Sequence, residues 1–263
     1  MTEALFTPRD GGFMPTPYSR SPWGQNTLHG GPVAALLAHQ VEQRTPDSSL
    51  RIARLTTDLF RPAPLVPLTV DTEVLRDGKR IMAMRASLIA DGVEVSRAQA
   101  LLARTSDVDA SATDLLPDPI PFPEDAEESS LIAHDGEPAY SKTVRFRYSV
   151  ERGVEQPVAV WIHVPLQLMP GVALTPAVRA AATSDYVSAF SAWHSGRGRG
   201  VPFINADITL YLFRPPAGEW LCLAEMDRGS HEGIAAGAGF LYDLAGPVGR
   251  CAACSVSRPP PQR

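Results

Sequence analysis

The stretch TTDLFRPAPLVPL, residues 56–68, and the stretch ADITLYLFRPPAGEW, residues 206–220, both contain LFRP, at residues 59–62 and 212–215. The second copy begins 153 residues after the first in a chain of 263 residues. An arginine and a proline suit the end of a strand, because proline cannot donate to the hydrogen-bond ladder. A four-letter match has little weight by itself, so the elements around each copy must decide whether the chain contains a repeat.

The first copy lies between a predicted helix and a predicted antiparallel meander. HGGPVAALLAHQVEQRT, residues 29–45, suits a helix with proline at its first position, and its apolar residues have helical spacing: Val33, Leu36, Leu37 and Val41. Residues 68–103 alternate between apolar and polar and are interrupted by Asp-Gly at 77–78 and 91–92. Asp-Gly between alternating segments is a strong hairpin signal. The first half therefore predicts one helix and about four strands.

The second half repeats this order. TPAVRAAATSDYVSAF, residues 175–190, predicts one helix with Thr175 as its N-cap and Pro176 at its first position. Four strand candidates follow, at residues 206–213, 219–226, 233–243 and 248–256. One helix against a curved antiparallel sheet, present twice, is the tandem (double) hotdog arrangement of the α+β class. LFRP closes the first strand after the helix in both halves.

The charge pattern divides the chain at the place that the repeat predicts. Residues 105–138 contain ten acidic residues, several prolines and no Lys or Arg, which predicts a linker or surface excursion. We expect an N-terminal hotdog domain at 1–104 and a C-terminal one at 139–263. Without this segment the formal net charge of −5 becomes +5, which weakly favours a phosphate-bearing ligand. Basic residues are not clustered with aromatics, so no nucleic-acid partner is predicted.

Location and redox chemistry are also constrained by the sequence. No apolar run approaches the roughly 20 residues that span a bilayer, and the N-terminus lacks a basic start before an apolar stretch, so we expect a cytoplasmic protein without a membrane partner. Cys222, Cys251 and Cys254 make no disulfide framework. Cys251 and Cys254 should project from opposite faces of a strand, which favours structural thiols. No zinc-ligand pattern accompanies them, so neither a metal nor a cofactor is expected.

Three stretches resemble a known family: residues 21–42 (SPWGQNTLHGGPVAALLAHQVE), 56–80 (TTDLFRPAPLVPLTVDTEVLRDGKR) and 206–220. They are similar to the double-hotdog acyl-CoA thioesterases related to acyl-CoA thioesterase II, over nearly the whole chain outside residues 105–138. The resemblance implies hydrolysis of an acyl-CoA, a small-molecule substrate, to the free acid and coenzyme A. It implies that an Asp, a Ser or Thr, and a Gln in the second hotdog activate a water. It also makes a homo-oligomer a possible assembly.

The resemblance assigns three positions of the second half. Asp207 matches the aspartate before the Arg-Pro strand end, and Ser230 falls near the Ser/Thr position when counted from Trp220. Cys254 stands where the glutamine is expected. A thiol is a weaker donor than a carboxamide and is shorter. Two hypotheses therefore stay open, a thioesterase and an acyl-CoA or acyl-chain binding protein that has lost the chemistry.

The first half offers further candidates. The amides at the start of the first helix are suited to hold a thioester oxygen, which makes His29, Gly30 and Gly31 candidate substrate-binding residues. Glycine-flanked arginines could contact CoA phosphates, namely Arg197 and Arg199. Additional candidate acids, ranked below Asp207, are Glu42, Asp58 and Asp185. A hotdog hydratase is the weaker enzyme hypothesis, because no Asp and His pair with a flanking Asn-Pro precedes a helix.

Overall fold

The computed structural model describes residues 3–22, 26–45, 47–108, 114–130, 136–149, 159–194 and 203–257. Within these ranges the helices are α1 (Gly30–Gln43), α2 (Tyr140–Thr143), α3 (Pro176–Ser184) and α4 (Val187–His194). The strands of the first half are β1 (Phe6–Arg9), β2 (Gly12–Pro15), β3 (Leu50–Asp58), β4 (Leu68–Asp77), β5 (Ile81–Ala90) and β6 (Val93–Arg104). Those of the second half are β7 (Arg145–Ser149), β8 (Ala159–His163), β9 (Phe203–Asn205), β10 (Asp207–Leu212), β11 (Trp220–His231), β12 (Ile234–Asp243) and β13 (Gly246–Ser257).

The described strands form a single antiparallel sheet in the order β1-β2-β4-β5-β6-β3-β10-β13-β12-β11-β8-β7, with β9 paired to β13. The two strands that lead into LFRP, β3 and β10, lie side by side at its centre. Thr56 is opposite Thr209, 153 residues later, and the Thr209 hydroxyl donates to the Thr56 hydroxyl at 3.2 Å. The repeat in the sequence is therefore the pairing of two similar halves, and the tandem hotdog prediction is confirmed.

One apolar core lies between the helices and the inner face of the sheet and extends through both halves. α1 packs against α3 and against the inner faces of β3 to β6. The apolar residues predicted to share a face of α1 are all buried: Val33, Leu36, Leu37 and Val41. Burial of this kind stabilises by about 1.5–3 kcal/mol for each large aliphatic side chain.

The outer face of the sheet, on the side away from the helices, is partly covered by the acidic segment. Ile120 and Phe122 pack on a small cluster around Trp161. The guanidinium of Arg147 lies 5.1 Å from the centre of the Phe122 ring and 5.6 Å from that of Trp220. Residues 120–122 of this segment are therefore packed on the second half.

Two helix predictions need correction. α1 begins at Gly30, so Pro32 occupies the third helical position, where the N–H that it lacks would have had no partner within the helix. The helix predicted over residues 175–190 is broken after Ser184, although Thr175 is its N-cap and Pro176 its first residue, as predicted. At the break the N–H of Tyr186 bonds to the oxygen of Thr183, an i→i+3 turn.

The strand predictions are confirmed for β3 to β6 and β10 to β13, while β1, β2, β7, β8 and β9 were not predicted. The Asp91-Gly92 turn has positive φ at both residues, +48° and +75°, as a two-residue hairpin requires. Cys251 is buried and Cys254 half-buried, which confirms that they project from opposite faces. Burial raises the pKa of the Cys251 thiol to about 12. In the described residues, no helix is both long and apolar enough to cross a membrane.

Candidate functional site

A groove of about 230 Å³ lies on the outer face of the second half, across β10, β13, β12 and β11. Its floor consists of small residues, and the groups that can do chemistry stand at its sides. The lining residues are Asp207, Thr209, Asp227, Ala236, Gly237, Ala238, Ala252, Ala253 and Cys254. Small side chains on three neighbouring strands leave room for a ligand to lie against the backbone.

Asp207 and Cys254, two of the three predicted catalytic residues, meet in this groove. The N–H of Cys254 donates to Oδ1 of Asp207 at 2.6 Å. Oδ2 receives no hydrogen bond from any residue that the structure describes. This arrangement fixes the carboxylate and leaves one oxygen for a water or a ligand.

On β11 the groove is lined by Asp227 instead of Ser230. A bulge interrupts the pairing of β11 with β12 between Ala224 and Asp227, and Glu225 has φ +49°. The extra residue shifts the alternation, so a count from Trp220 does not identify the groove residue. Ser230 is exposed near the end of the hairpin and lies opposite Ala235. Since it is three residues beyond Asp227, its side chain points to the other face of the strand.

Asp58 lies beside the groove, directly opposite Asp207 on the neighbouring strand. Burial and the negative charge of Asp207 raise the pKa of the Asp58 carboxyl. The Arg97 charge and a hydrogen bond from Gln99 oppose that rise without cancelling it. Like charges directly opposite in a sheet are destabilising, so this pair is an electrostatic cost at the junction of the two halves.

The predicted substrate-binding residues lie on the helix side of the sheet, where the halves meet. The Nδ1 atom of His29 lies 2.6 Å from Oδ2 of Asp185, and the N–H of Gly31 donates to the same oxygen at 2.8 Å. Nδ1 is also 3.2 Å from the N of Gly31. At 2.6 Å from a carboxylate Nδ1 must carry the proton, so the true acceptor for Gly31 is Asp185.

Asn205 completes this buried cluster by donating to Oδ1 of Asp185 at 2.6 Å. Burial opposes ionisation of Asp185, but His29, Asn205 and the N–H of Gly31 outweigh it and lower the pKa of that carboxyl. A Cβ on Gly30 would lie 2.6 Å from the carboxylate, which explains the absence of a side chain there. The observed role of His29-Gly30-Gly31 is to join the halves, and its role in substrate binding stays a prediction.

Glu42 forms a second link between the helices. The hydroxyl of Thr175 donates to Oε2 of Glu42 at 2.7 Å, and burial raises the pKa of Glu42 in spite of this bond. The N-cap of each long helix thus contacts an acid near the C-terminus of the other. Arg197 and Arg199 lie outside the described residues.

A larger depression of about 340 Å³ on the first half has no predicted site residue. Its lining includes Asp71, Glu73, Arg85 and Glu94. Arg85 pairs with Glu73, and Arg97 pairs with Glu94. Two of its three acids, Glu73 and Glu94, are paired with arginines, so we assign the chemistry to the groove around Asp207.

Several solved structures have a fold similar to that of this chain. A hot dog fold protein of unknown function from Alicyclobacillus acidocaldarius has a TM-score of 0.72 at 16% identity, over 97% of this chain and 96% of that one. The TesB protein of Mycobacterium avium subsp. paratuberculosis has a TM-score of 0.69 at 15% identity, over 97% and 96%. The acyl-CoA thioesterase II TesB2 of Mycobacterium marinum has a TM-score of 0.65 at 15% identity, over 89% and 92%.

Sequence comparison identifies the family more directly. No curated protein matches the chain. Residues 19–103 match the model of the acyl-CoA thioesterase N-terminal domain, and residues 117–253 match that of the acyl-CoA thioesterase C-terminal domain. The two matches cover most of the 263 residues. The chain belongs to the acyl-CoA thioesterase family.

Proposed function

We propose that the protein hydrolyses acyl-CoA thioesters in the groove on the outer face of the second half. The observation that carries this proposal is the Asp207 carboxylate, held through Oδ1 by the N–H of Cys254 with Oδ2 facing the groove. A carboxylate fixed at one oxygen is suited to orient a water and to accept its proton.

In the proposed step, the water oxygen attacks the thioester carbonyl carbon while Asp207 Oδ2 takes one proton from the water. The carbon–sulfur bond then breaks and the thiolate of coenzyme A leaves. The thiolate of a thiol with an ordinary pKa near 8.5 is a good leaving group, and it takes up the proton held by Asp207, which leaves the free acid and CoA as products. The resemblance predicts Ser230 as an additional polar group, but its side chain points away from the groove, and the acid of β11 that lines the groove is Asp227.

The test is release of CoA from a panel of acyl-CoAs, detected with a thiol reagent. A baseline without substrate removes the reaction of the half-buried Cys254 itself. Asp207→Asn should lower kcat by about a hundredfold or more, whereas the exposed Asp71→Asn, on the same face of the first half, should leave it unchanged. Equal turnover in both variants would remove Asp207 from the mechanism.

Binding without hydrolysis is the second candidate, and Cys254 in the groove is the observation that favours it. A thiol positions a water or a carbonyl less well than a carboxamide. If Cys254 limits the chemistry, Cys254→Gln should raise kcat. If no acyl-CoA releases CoA while each one raises the Tm, binding replaces hydrolysis as the function.

Homo-oligomers of this chain are also part of the proposal, because the resemblance to double-hotdog thioesterases implies them. Light scattering of the purified protein over a range of concentrations would test this. A mass of one chain at every concentration would reject it.

A further inference from the structure

A row of arginines and aromatic rings crosses the outer face of the sheet beside the groove. On β10, Tyr211 lies opposite Arg54 of β3 on one side and opposite Arg250 of β13 on the other. Arg250 in turn lies opposite Phe240 of β12. Directly opposite residues in antiparallel strands project from the same face. We call Arg54, Tyr211, Arg250 and Phe240 the arginine–aromatic row.

The fold itself leaves the polar groups of this row unused. The Nε atom of Arg54 is buried and has no hydrogen-bond partner in the part of the chain that the structure describes. Arg250 lies over the Phe240 ring, with Cζ 3.8 Å from its centre. Among the described residues, neither arginine forms an ion pair with an acid. Tyr211 is 53% exposed between them. Both guanidinium charges therefore lack a partner acid in the described fold, and a bound phosphate would supply one.

The strands β10 and β13 fix the distance between the row and the residues Asp207 and Cys254. Arg250 is four residues before Cys254 on β13, and Tyr211 is four residues after Asp207 on β10. Four residues of strand span about 13 Å. On this face of the two strands, Thr209 is the only residue between Asp207 and Tyr211, and Ala252 is the only one between Arg250 and Cys254. The part of the groove between the row and Asp207 is therefore low and open.

We propose that the arginine–aromatic row binds the 3′-phospho-ADP end of coenzyme A, with the arginines at the phosphates and an aromatic ring against the adenine. This inference rests on the proposed function, because it places the thioester at Asp207. Arginine matches phosphate geometry well, and purine bases stack on exposed aromatic side chains. An extended pantetheine arm bridges the distance from the row to the groove.

Charge determines the direction in which the substrate lies. At one end of the β3–β10 pair, Asp58 faces Asp207. At the other end, Arg54 faces Tyr211, which is also beside Arg250. Phosphates are repelled by the first pair and attracted by the arginines. The acyl-CoA therefore lies with its nucleotide on the row and its thioester in the groove.

The kinetic test compares two substrates with the same acyl group, one an acyl-CoA and the other an acyl-N-acetylcysteamine, which has no nucleotide. Arg54→Gln and Arg250→Gln should each raise KM for the acyl-CoA about five- to tenfold, with kcat unchanged. Tyr211→Ala should raise it about fivefold or more, while Tyr211→Phe retains the ring and the affinity. None of these variants should change KM for the acyl-N-acetylcysteamine. The matched control is Arg51→Gln, an exposed arginine of the same strand β3, which should leave both KM values unchanged.

Two results would overturn the proposal. One is an unchanged KM for acyl-CoA in all row variants, and the other is the same rise for both substrates, which would indicate a distorted groove. Melting curves of each variant confirm that it is folded. If the protein hydrolyses neither substrate, the proposed function fails, and calorimetry with CoA and 3′,5′-ADP then tests the row alone. Loss of binding in Arg250→Gln would support the row, and equal binding in wild type and variant would reject it.

Discussion

The arginine of the second LFRP is predicted to be a major source of stability, whereas that of the first is not. Arg214 donates to both carboxylate oxygens of Asp243, at 2.6 and 2.7 Å, and to the backbone oxygens of Gly246 and Pro247. The side chain of Asp243 is fully buried, and that of Arg214 is 32% exposed. We therefore expect Arg214→Ala to lower the free energy of unfolding strongly.

The size of the effect follows from what remains around Asp243. Removing one partner of a buried ion pair costs about 3–5 kcal/mol, because the other charge stays buried. Asp243 still accepts the N–H groups of Ala217 and Ala245, at 2.8 and 2.9 Å, and Arg214 is partly exposed. We therefore expect a loss of about 2–3 kcal/mol. In a chain of this size, that lowers the Tm by about 5–10 °C.

Urea denaturation and thermal melting would measure this loss, with Arg61→Ala as the matched control. Arg61 is the arginine of the first LFRP and is exposed, so its replacement should change stability by less than about 0.5 kcal/mol. Equal losses in the two variants, or none in Arg214→Ala, would refute the reasoning.

The pH dependence of the loss gives a second check. Burial opposes ionisation of Asp243, but Arg214 and the two N–H donors lower the pKa of its carboxyl. The stabilisation by a carboxyl with a lowered pKa is present above the pKa of the unfolded chain and disappears as the pH falls through the folded value. The difference between wild type and Arg214→Ala should therefore shrink in acid.

Three further substitutions test the junction of the halves. Asp58→Asn should raise the free energy of unfolding by about 0.5–1 kcal/mol at pH 8, and melts at pH 4 should show no gain. Burial and the charge of Asp207 raise the pKa of the Asp58 carboxyl in the folded protein. The protonated carboxyl therefore stabilises the fold in acid, and this stabilisation is lost as the pH rises through the folded-state pKa of Asp58. Thr175→Ala should cost about 1–2 kcal/mol in urea denaturation and Thr175→Ser much less, because the hydroxyl both caps α3 and donates to Glu42. Gly31→Ala should cost about 1–3 kcal/mol by the same measurement, since its Cβ would lie 2.7 Å from a backbone oxygen; an unchanged midpoint would contradict the close packing.

Short-range patterns in the sequence were enough to predict eight strands of the sheet, β3 to β6 and β10 to β13, and half of the groove. Alternation in DITLYL and CAAC places Asp207 and Cys254 on one face once their strands are neighbours, as β10 and β13 are in the sheet. The strands β1 and β2 are four residues long and contain proline or glycine, so their pattern is too short to detect.

The rest of the site depends on contacts between distant residues and on backbone irregularity. Asp185 contacts Gly31, 154 residues away, and this contact lies at the break between α3 and α4, where helix propensity predicted continuity. Asp227 entered the groove because of the bulge before it, which shifts the faces of β11 and is not visible in the residue types. A search for acids on the strand after the second LFRP, without a fixed count, would have found Glu225 and Asp227.

The offset between the LFRP copies leaves the Asp207 carboxylate without a counterpart at the equivalent described position of the first half. Subtracting 153 from the number of a residue in the second half gives the equivalent residue of the first half. Thr209 is thereby equivalent to Thr56, and the two lie opposite each other. The pseudo-twofold axis that relates the halves therefore passes between these two threonines. The same shift places Arg54 at the position of Asp207. The first half therefore has a cation where the second has its carboxylate, and it cannot repeat the proposed chemistry. Because the shift also places Asp58 at the position of Tyr211, both acids lie at one end of the β3–β10 pair and Arg54 lies at the other. The duplicated sheet has thus become a polar surface, on which an anionic acyl-CoA is favoured in one direction.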